Sequence, residues 1–272
     1  EAAAIAARLK AATSAGKRAV ILLGQIAGRH PRFADLRQLA GELAHVSGAE
    51  LGYLSEGANS AGLALAGVLP HRVAGGTAGA GGGRNIAQMI EQPPRALVLL
   101  GCEPDRDCSD GEGAVRALQA AGFVLALTPY LGEALNAHAD VVLPVGTFAE
   151  TAGTFVNAEG RWQSFGGVAT PVGESRPAWK VLRVLGNLLQ MPDCEYASAD
   201  AVLAEVRGLV PLSEPSNVVL ASSIPPALAP ADIPLPALDV PMYQVDAVLR
   251  RTPALQLTRE ARAAARNKLE AV

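Results

Sequence analysis

Aromatic residues are scarce in this 272-residue chain, where Phe, Trp and Tyr together make up 4%. A core built with so few rings has to close with Ala, Val, Leu and Gly, which brings backbones near one another. Cysteine is rarer still. Cys102, Cys108 and Cys194 form an odd set without Cys-x-x-Cys spacing, which excludes a disulfide framework and a four-thiolate metal site and leaves free thiols. Charge of one sign is also lacking. The formal net charge is −3 with no basic block, so a dedicated nucleic-acid surface is excluded. Gly, Pro or a charge interrupts every apolar run before the ~18–20 residues a membrane-spanning helix needs, so no direct membrane insertion is expected. His30, His45, His71 and His138 are scattered and form no metal constellation, and no nucleophile elbow or Ser/His/Asp arrangement is legible.

What is present is apolar and proline-rich: half the residues are hydrophobic and 19 are Pro. Residues 1–16 read as an Ala-rich opening helix, without the basic start and cleavage site of a secretory signal. Residues 17–210 alternate strands and helices. Arg18–Leu23 and Ala96–Leu100 are continuous apolar runs, as expected of strands buried on both faces of a parallel sheet. A Gly24–Gly28 turn and a helix over 32–46 follow the first of them, and Gly48 ends that helix. Glu50–Leu54 is extended. After the second run come a polar loop, a helix over 112–121, a strand Phe123–Leu127, a short helix Leu131–Ala139 and a strand Asp140–Leu143. Crossovers of this length imply right-handed βαβ units, so the fold class is α/β, doubly wound around a mostly parallel sheet. Thr154–Val156 and Arg161–Phe165 read as a hairpin. A helix capped by Ser175 runs to Gln190 with Val181, Leu182, Leu185, Leu188 and Leu189 facing the core, and Ser198 starts another. Residues 211–241 carry eight prolines among apolar residues, which favours an extended path along a surface. Residues 242–272 read as a docking segment with a charged terminal helix over 258–270.

Three features invite chemistry. Gly75–Gly83 (GGTAGAGGG) lacks the Lys-Ser/Thr of a phosphate loop and follows no strand, so it reads as a flexible connection. Gly24–Gly28 sits where open α/β sheets bind ligands, but lacks a third glycine and a ribose-reading acid. The acidic loop from Glu103 to Glu112 fails the calcium-loop pattern, because Gly111 falls one place late and Arg116 stands where a bidentate Glu is required. It reads as a solvated loop whose last acids favour the following helix N-terminus. Loops at the strand C-termini remain the generic site: Gly24–Gly28, Gly57–Gly62, Gly101–Asp107 and Thr128–Tyr130.

One stretch is more specific. Ala139–Pro144 (ADVVLP), Phe148–Thr151 (FAET), Gly153-Thr154, Asn157–Gln163 (NAEGRWQ) and Pro171–Trp179 (PVGESRPAW) together resemble the molybdopterin oxidoreductase fold. Glu56–Gly62 (EGANSAG) and Leu100–Pro104 (LGCEP) match further landmarks in order. Within that superfamily the chain is most similar to the large iron–sulfur subunit of bacterial NADH–quinone oxidoreductase, including Met242–Asp246, Arg250-Arg251 and Pro253–Thr258.

The resemblance implies a structural and subunit-docking domain of the peripheral arm, on the cytoplasmic side of the inner membrane, contacting other peripheral-arm subunits. It implies iron–sulfur clusters in an N-terminal region of the parent subunit, so this chain is expected to be a piece of a longer one. It implies no cofactor in this segment, no metal and no catalytic residue. Relatives that hold the cofactor end the strand matching Phe123–Leu127 with Gln-Asp, whereas Thr128-Pro129 stands here. Gly57, Asn59, Ser60, Gly101, Glu103 and Thr128 are the candidates for a remnant cleft. The alternative from the enzyme class is a fragment of a catalytic molybdopterin oxidoreductase of the formate-dehydrogenase type.

Overall fold

The computed structural model describes residues 2–55, 57–210 and 242–263; the proline-rich stretch 211–241, Glu56 and the end of the charged terminal helix lie outside them. Helix α1 (Ala2–Ser14) packs on helix α3 (Phe33–Ser47), and the Thr13 hydroxyl donates 2.6 Å to the Ser47 carbonyl. Between them come strand β1 (Val20–Leu23) and the single turn α2 (Gln25–Gly28). Gly48 closes α3 at φ 69°, a left-handed conformation that glycine adopts without a Cβ penalty. Strand β2 (Glu50–Tyr53) then runs parallel to β1, with Ile21 opposite Leu51. Ala40, Ala44 and Leu51 form a small core with Ile21 and Leu23.

Helix α4 (Ser60–Ala66), a 3-10 turn (Ala74–Gly76) and helix α5 (Ile86–Glu91) lead to the second unit. There β3 (Ala96–Leu100), α6 (Pro104–Asp107), α7 (Gly111–Ala120), β4 (Phe123–Thr128), α8 (Glu133–His138) and β5 (Val141–Pro144) follow in order. The sheet order is β3-β4-β5, all parallel. Leu118 of α7 and Leu135 of α8 cover Val124 and Ala126 on one face of β4. Val181 and Leu185 of helix α9 (Ala178–Leu188) cover Leu125 and Leu127 on the other. Helices on both faces make this the doubly wound arrangement the sequence implies.

Burial on both faces, however, is confined to β4. Strands β1 and β3 alternate, with Val20, Leu22, Val98 and Leu100 exposed. An apolar run reads the same whether one or two helices cover it, so the expectation for Arg18–Leu23 and Ala96–Leu100 is corrected here. Helix α9 also departs from expectation. It starts after Pro177, the Ser175 hydroxyl is buried without a hydrogen-bond partner, and Leu182, Leu188 and Leu189 are exposed. Val181 and Leu185 pack on the sheet, and the last leucines of the helix stay exposed.

The hairpin of β6 (Gly153–Val156) and β7 (Trp162–Phe165) is antiparallel, and the Asn157 carboxamide accepts from the Glu159 and Arg161 amides to form its turn. Helix α10 (Ala199–Leu209) is capped by Ser198, whose hydroxyl accepts from the Ala201 amide at 3.1 Å. Its end packs on the glycine-rich loop. A Cβ on Gly75 would stand 2.7 Å from the Leu209 Cβ, so this glycine serves close packing and the reading of Gly75–Gly83 as a flexible connection does not hold there. After residue 241 the chain forms 3-10 turns at Met242–Gln244 and Leu249–Arg251, the short helix α11 (Pro253–Gln256), and a further helix whose described part is 259–263.

Candidate functional site

The C-terminal ends of β3 and β4 make the crevice where open α/β sheets place ligands. At the end of β3, Gly101 adopts φ 59° and its amide donates 2.8 Å to the Leu127 carbonyl, which continues the ladder by one bond. Glu103 opens α6, and its amide donates 2.7 Å to an Asp107 carboxylate oxygen. The Glu103 side chain points into the crevice and meets two arginines from the far end of the chain. Arg251 grips it bidentately, Nη1 to Oε2 at 2.8 Å and Nη2 to Oε1 at 2.5 Å. Arg250 Nη1 lies 3.2 Å from Glu103 Oε2, and Arg250 also pairs with Asp107. The Arg251 guanidinium stacks 4.3 Å from the Tyr130 ring centroid. Glu103 and Arg250 side chains are 5% and 7% exposed, whereas Arg251 is a third exposed.

Small residues make room for this arrangement. A Cβ on Gly132 would stand 2.7 Å from Glu103 Oε1. Thr128 turns inward, its hydroxyl donating 2.7 Å to the Tyr130 carbonyl while accepting from the Tyr130 amide at 3.2 Å. The reading of Glu103–Asp107 as a solvated loop is therefore corrected. Its first acid is buried in an ion-pair network whose partner lies 148 positions away, beyond the reach of any local pattern. Asp110 does cap α7, accepting from the Gly113 amide at 2.8 Å.

Arg251's hydrogen bonds, with its charge and that of Arg250, hold the Glu103 carboxyl below the usual carboxylate range against the opposing effect of burial. A carboxylate whose folded pKa is depressed contributes stability above its unfolded pKa, and that stability is lost as pH falls through the folded value. We therefore expect thermal melts of the domain to lose a component only below about pH 4, and Glu103→Gln to flatten that acid limb. Neighbouring thiols are chemically quiet. Burial pushes Cys102 up to about 12, helped by the Asp107 charge, and burial raises Cys108 as well. Both stay protonated at neutral pH and are poor nucleophiles.

The remaining candidates form a separate device. Gly57's carbonyl accepts from the Ser60 and Ser55 hydroxyls at 3.2 and 3.3 Å. Asn59 Oδ1 accepts from the amide of buried Val156 at 2.8 Å, across 97 positions, which ties the start of α4 to the hairpin. A Cβ on Gly62 would lie 2.0 Å from that oxygen. The spacing Asn59…Gly62 thus records a close approach. Gly62→Ala should expel the Asn59 amide, orphan a buried N–H and destabilise the domain by about 2 kcal/mol in urea unfolding. Glu150 works similarly. Its carboxylate accepts from Thr147 N and Oγ1 at 2.7 and 2.9 Å and from the Val172 amide at 3.0 Å, which pins the loop before the hairpin to the loop after it.

Of the six cleft candidates, Gly101, Glu103 and Thr128 thus lie at the strand ends, Asn59 braces the hairpin, and Gly57 and Ser60 bond to each other in the turn before α4. Asp107 and Tyr130 fall in the loops Gly101–Asp107 and Thr128–Tyr130 that the sequence marks as the generic site, whereas Arg250 and Arg251 enter there only through the resemblance and were missed as members of the site. Among the described residues no three His, Cys, Asp or Glu side chains converge as metal ligands, and no helix is long and apolar enough to cross a membrane.

Comparison with known proteins gives these residues a family context. A family model described as Molybdopterin oxidoreductase matches residues 2–188. The chain is 36% identical to the alpha subunit of the NADPH-Fe(3+) oxidoreductase of Geobacter sulfurreducens over 136 residues, covering 48% of this chain and 16% of that protein. It is 32% identical to a subunit of the NADH-quinone oxidoreductase of Mycobacterium tuberculosis over 149 residues, 46% of this chain and 18% of the relative. Against a putative formate dehydrogenase of Staphylococcus aureus it is 37% identical over 75 residues, 28% and 8% respectively. Each match spans less than a fifth of the relative's own length. Arg250 and Arg251 lie beyond the residues that the family model matches.

Proposed function

The chain belongs to the molybdopterin oxidoreductase family, and from that membership we propose that it is a structural and subunit-docking domain of a multi-subunit enzyme that takes electrons from a reduced nicotinamide, of the NADH–quinone oxidoreductase type. One observation carries the reading: the crevice at the ends of β3 and β4 is filled by the chain's own Arg250 and Arg251. The groups there do not fit a molybdopterin dinucleotide. Glu103 is neutralised by arginines, the Thr128 hydroxyl is committed to Tyr130, and Pro129 offers no N–H to a phosphate or a guanine. The similarity to subunits of an NADH-quinone oxidoreductase and of an NADPH-dependent iron reductase supports the electron-transfer setting. In this reading the iron–sulfur clusters belong to other parts of the parent subunit, and the domain sits peripherally on the cytoplasmic face of the inner membrane.

Docking would use residues 211–257, together with exposed apolar residues that the fold leaves uncovered, such as Val98 and Leu100 on β3 and Leu188 and Leu189 at the end of α9. The test is deletion of residues 211–272 from the full-length subunit, followed by native-gel analysis of the peripheral arm. Loss of assembly with the subunit still folded is the expected result, and normal assembly would sink the docking role. The similarity to a putative formate dehydrogenase favours a second reading, a piece of a catalytic molybdopterin enzyme.

A further inference from the structure

Away from the strand ends, α4, the β6–β7 hairpin and α10 border a half-open cavity of about 240 Å³ whose walls are mostly apolar. The chain has two tryptophans, and both Trp162 and Trp179 line this one cavity, together with Phe165 and Leu203. In a protein that is 4% aromatic, this concentration has a physical consequence. Aromatic side chains that border empty space forgo some of the dispersion contacts that a filled core would give them, so a flat apolar guest gains contacts that the protein leaves unmade. The back wall is rigid, because Asn59 holds the Val156 amide and Gly62 packs on Asn59. Among the described residues Asp200, in the first turn of α10, is the charged member of the lining.

The rings also accept cations. Arg207 lies 5.4 Å from the Trp162 centroid and Lys180 5.5 Å from that of Trp179, and neither of these side chains lines the cavity. An aromatic-walled pocket with one carboxylate suits a guest with a flat apolar body and a positive head, the combination used to recognise organic ammonium ions. From this geometry we infer that the cavity is a binding site for a small aromatic ammonium ion, its ring between Trp162, Phe165 and Trp179 and its ammonium at Asp200. The inference stands independently of the docking role.

Both tryptophans report on the site directly. Their fluorescence should be titrated with three probes of equal body and different head: 2-phenylethylammonium, propylbenzene and 3-phenylpropanoate. The ammonium should give a saturable change, the neutral probe a weaker one and the carboxylate the weakest. Asp200→Asn, an exposed position whose change leaves the fold intact, should lower ammonium affinity about fivefold and bring it level with propylbenzene. Leu203→Phe, which fills the cavity, should abolish the response to all three. If that variant fails to fold, the order of the three probes on the unaltered chain still decides. Equal affinities for the three, or no saturation with the ammonium up to about 10 mM, would overturn the assignment.

Discussion

Replacing Arg250 and Arg251 together with alanine is expected to destabilise the domain by about 3 kcal/mol and to release residues 242–263 from the strand ends. The magnitude comes from what stays behind. In the unaltered domain Glu103 is 5% exposed, and without the arginines its carboxylate would lack both hydration and counter-ion for as long as residues 242–263 stayed docked, which drives their release. The lower end of the range applies because Arg251 is a third exposed, and water screens its share. Urea unfolding with hydrogen exchange over 242–263 measures both effects. Adding Glu103→Gln to the double variant should recover a large part of the loss, since a neutral amide is far cheaper to bury than a lone charge. If the triple variant is as unstable as the double one, lost packing and not the stranded carboxylate is responsible.

The second large effect concerns the sheet. Leu127 is fully buried near the C-terminal end of β4, with α9 against it, and Leu127→Ala should cost about 3–5 kcal/mol. Leu188, ten positions along from Ala178 on that same helix, is 76% exposed, and Leu188→Ala should change stability by less than about 0.5 kcal/mol. The contrast tests whether the end of α9 is uncovered. A comparable loss at both positions would mean that Leu188 is covered, and the apolar surface offered for docking would be absent.

These two predictions also mark where local sequence stops informing. Phe123–Leu127 reads as a strand and is one, and its residues 124–127 are buried because helices happen to cover both of its faces. The run Val20–Leu23 looks the same yet alternates, since the helix that would cover its second face is a matter of topology. Caps were legible: Gly48, Asp110 and Ser198 end or start helices for reasons carried by their own side chains or backbone. The devices of the site were not. Asn59 bonds across 97 positions and Arg251 across 148, so neither Asn59 nor Glu103 carries its role in its neighbours. The signature residues Glu150, Asn157 and Gly62 were legible as a resemblance, and the structure supplies their physical work: each holds a turn or a close approach around the hairpin.

We propose that the crevice at the strand ends is closed by the chain's own arginines and takes no part in molybdopterin chemistry. The most direct measurement is molybdenum, tungsten and oxidised-pterin content of the full-length protein purified from its host. Far less than one metal or pterin per chain is expected, unchanged by Arg251→Ala. Stoichiometric metal with pterin, bound to the unaltered protein, would contradict it and favour the catalytic reading.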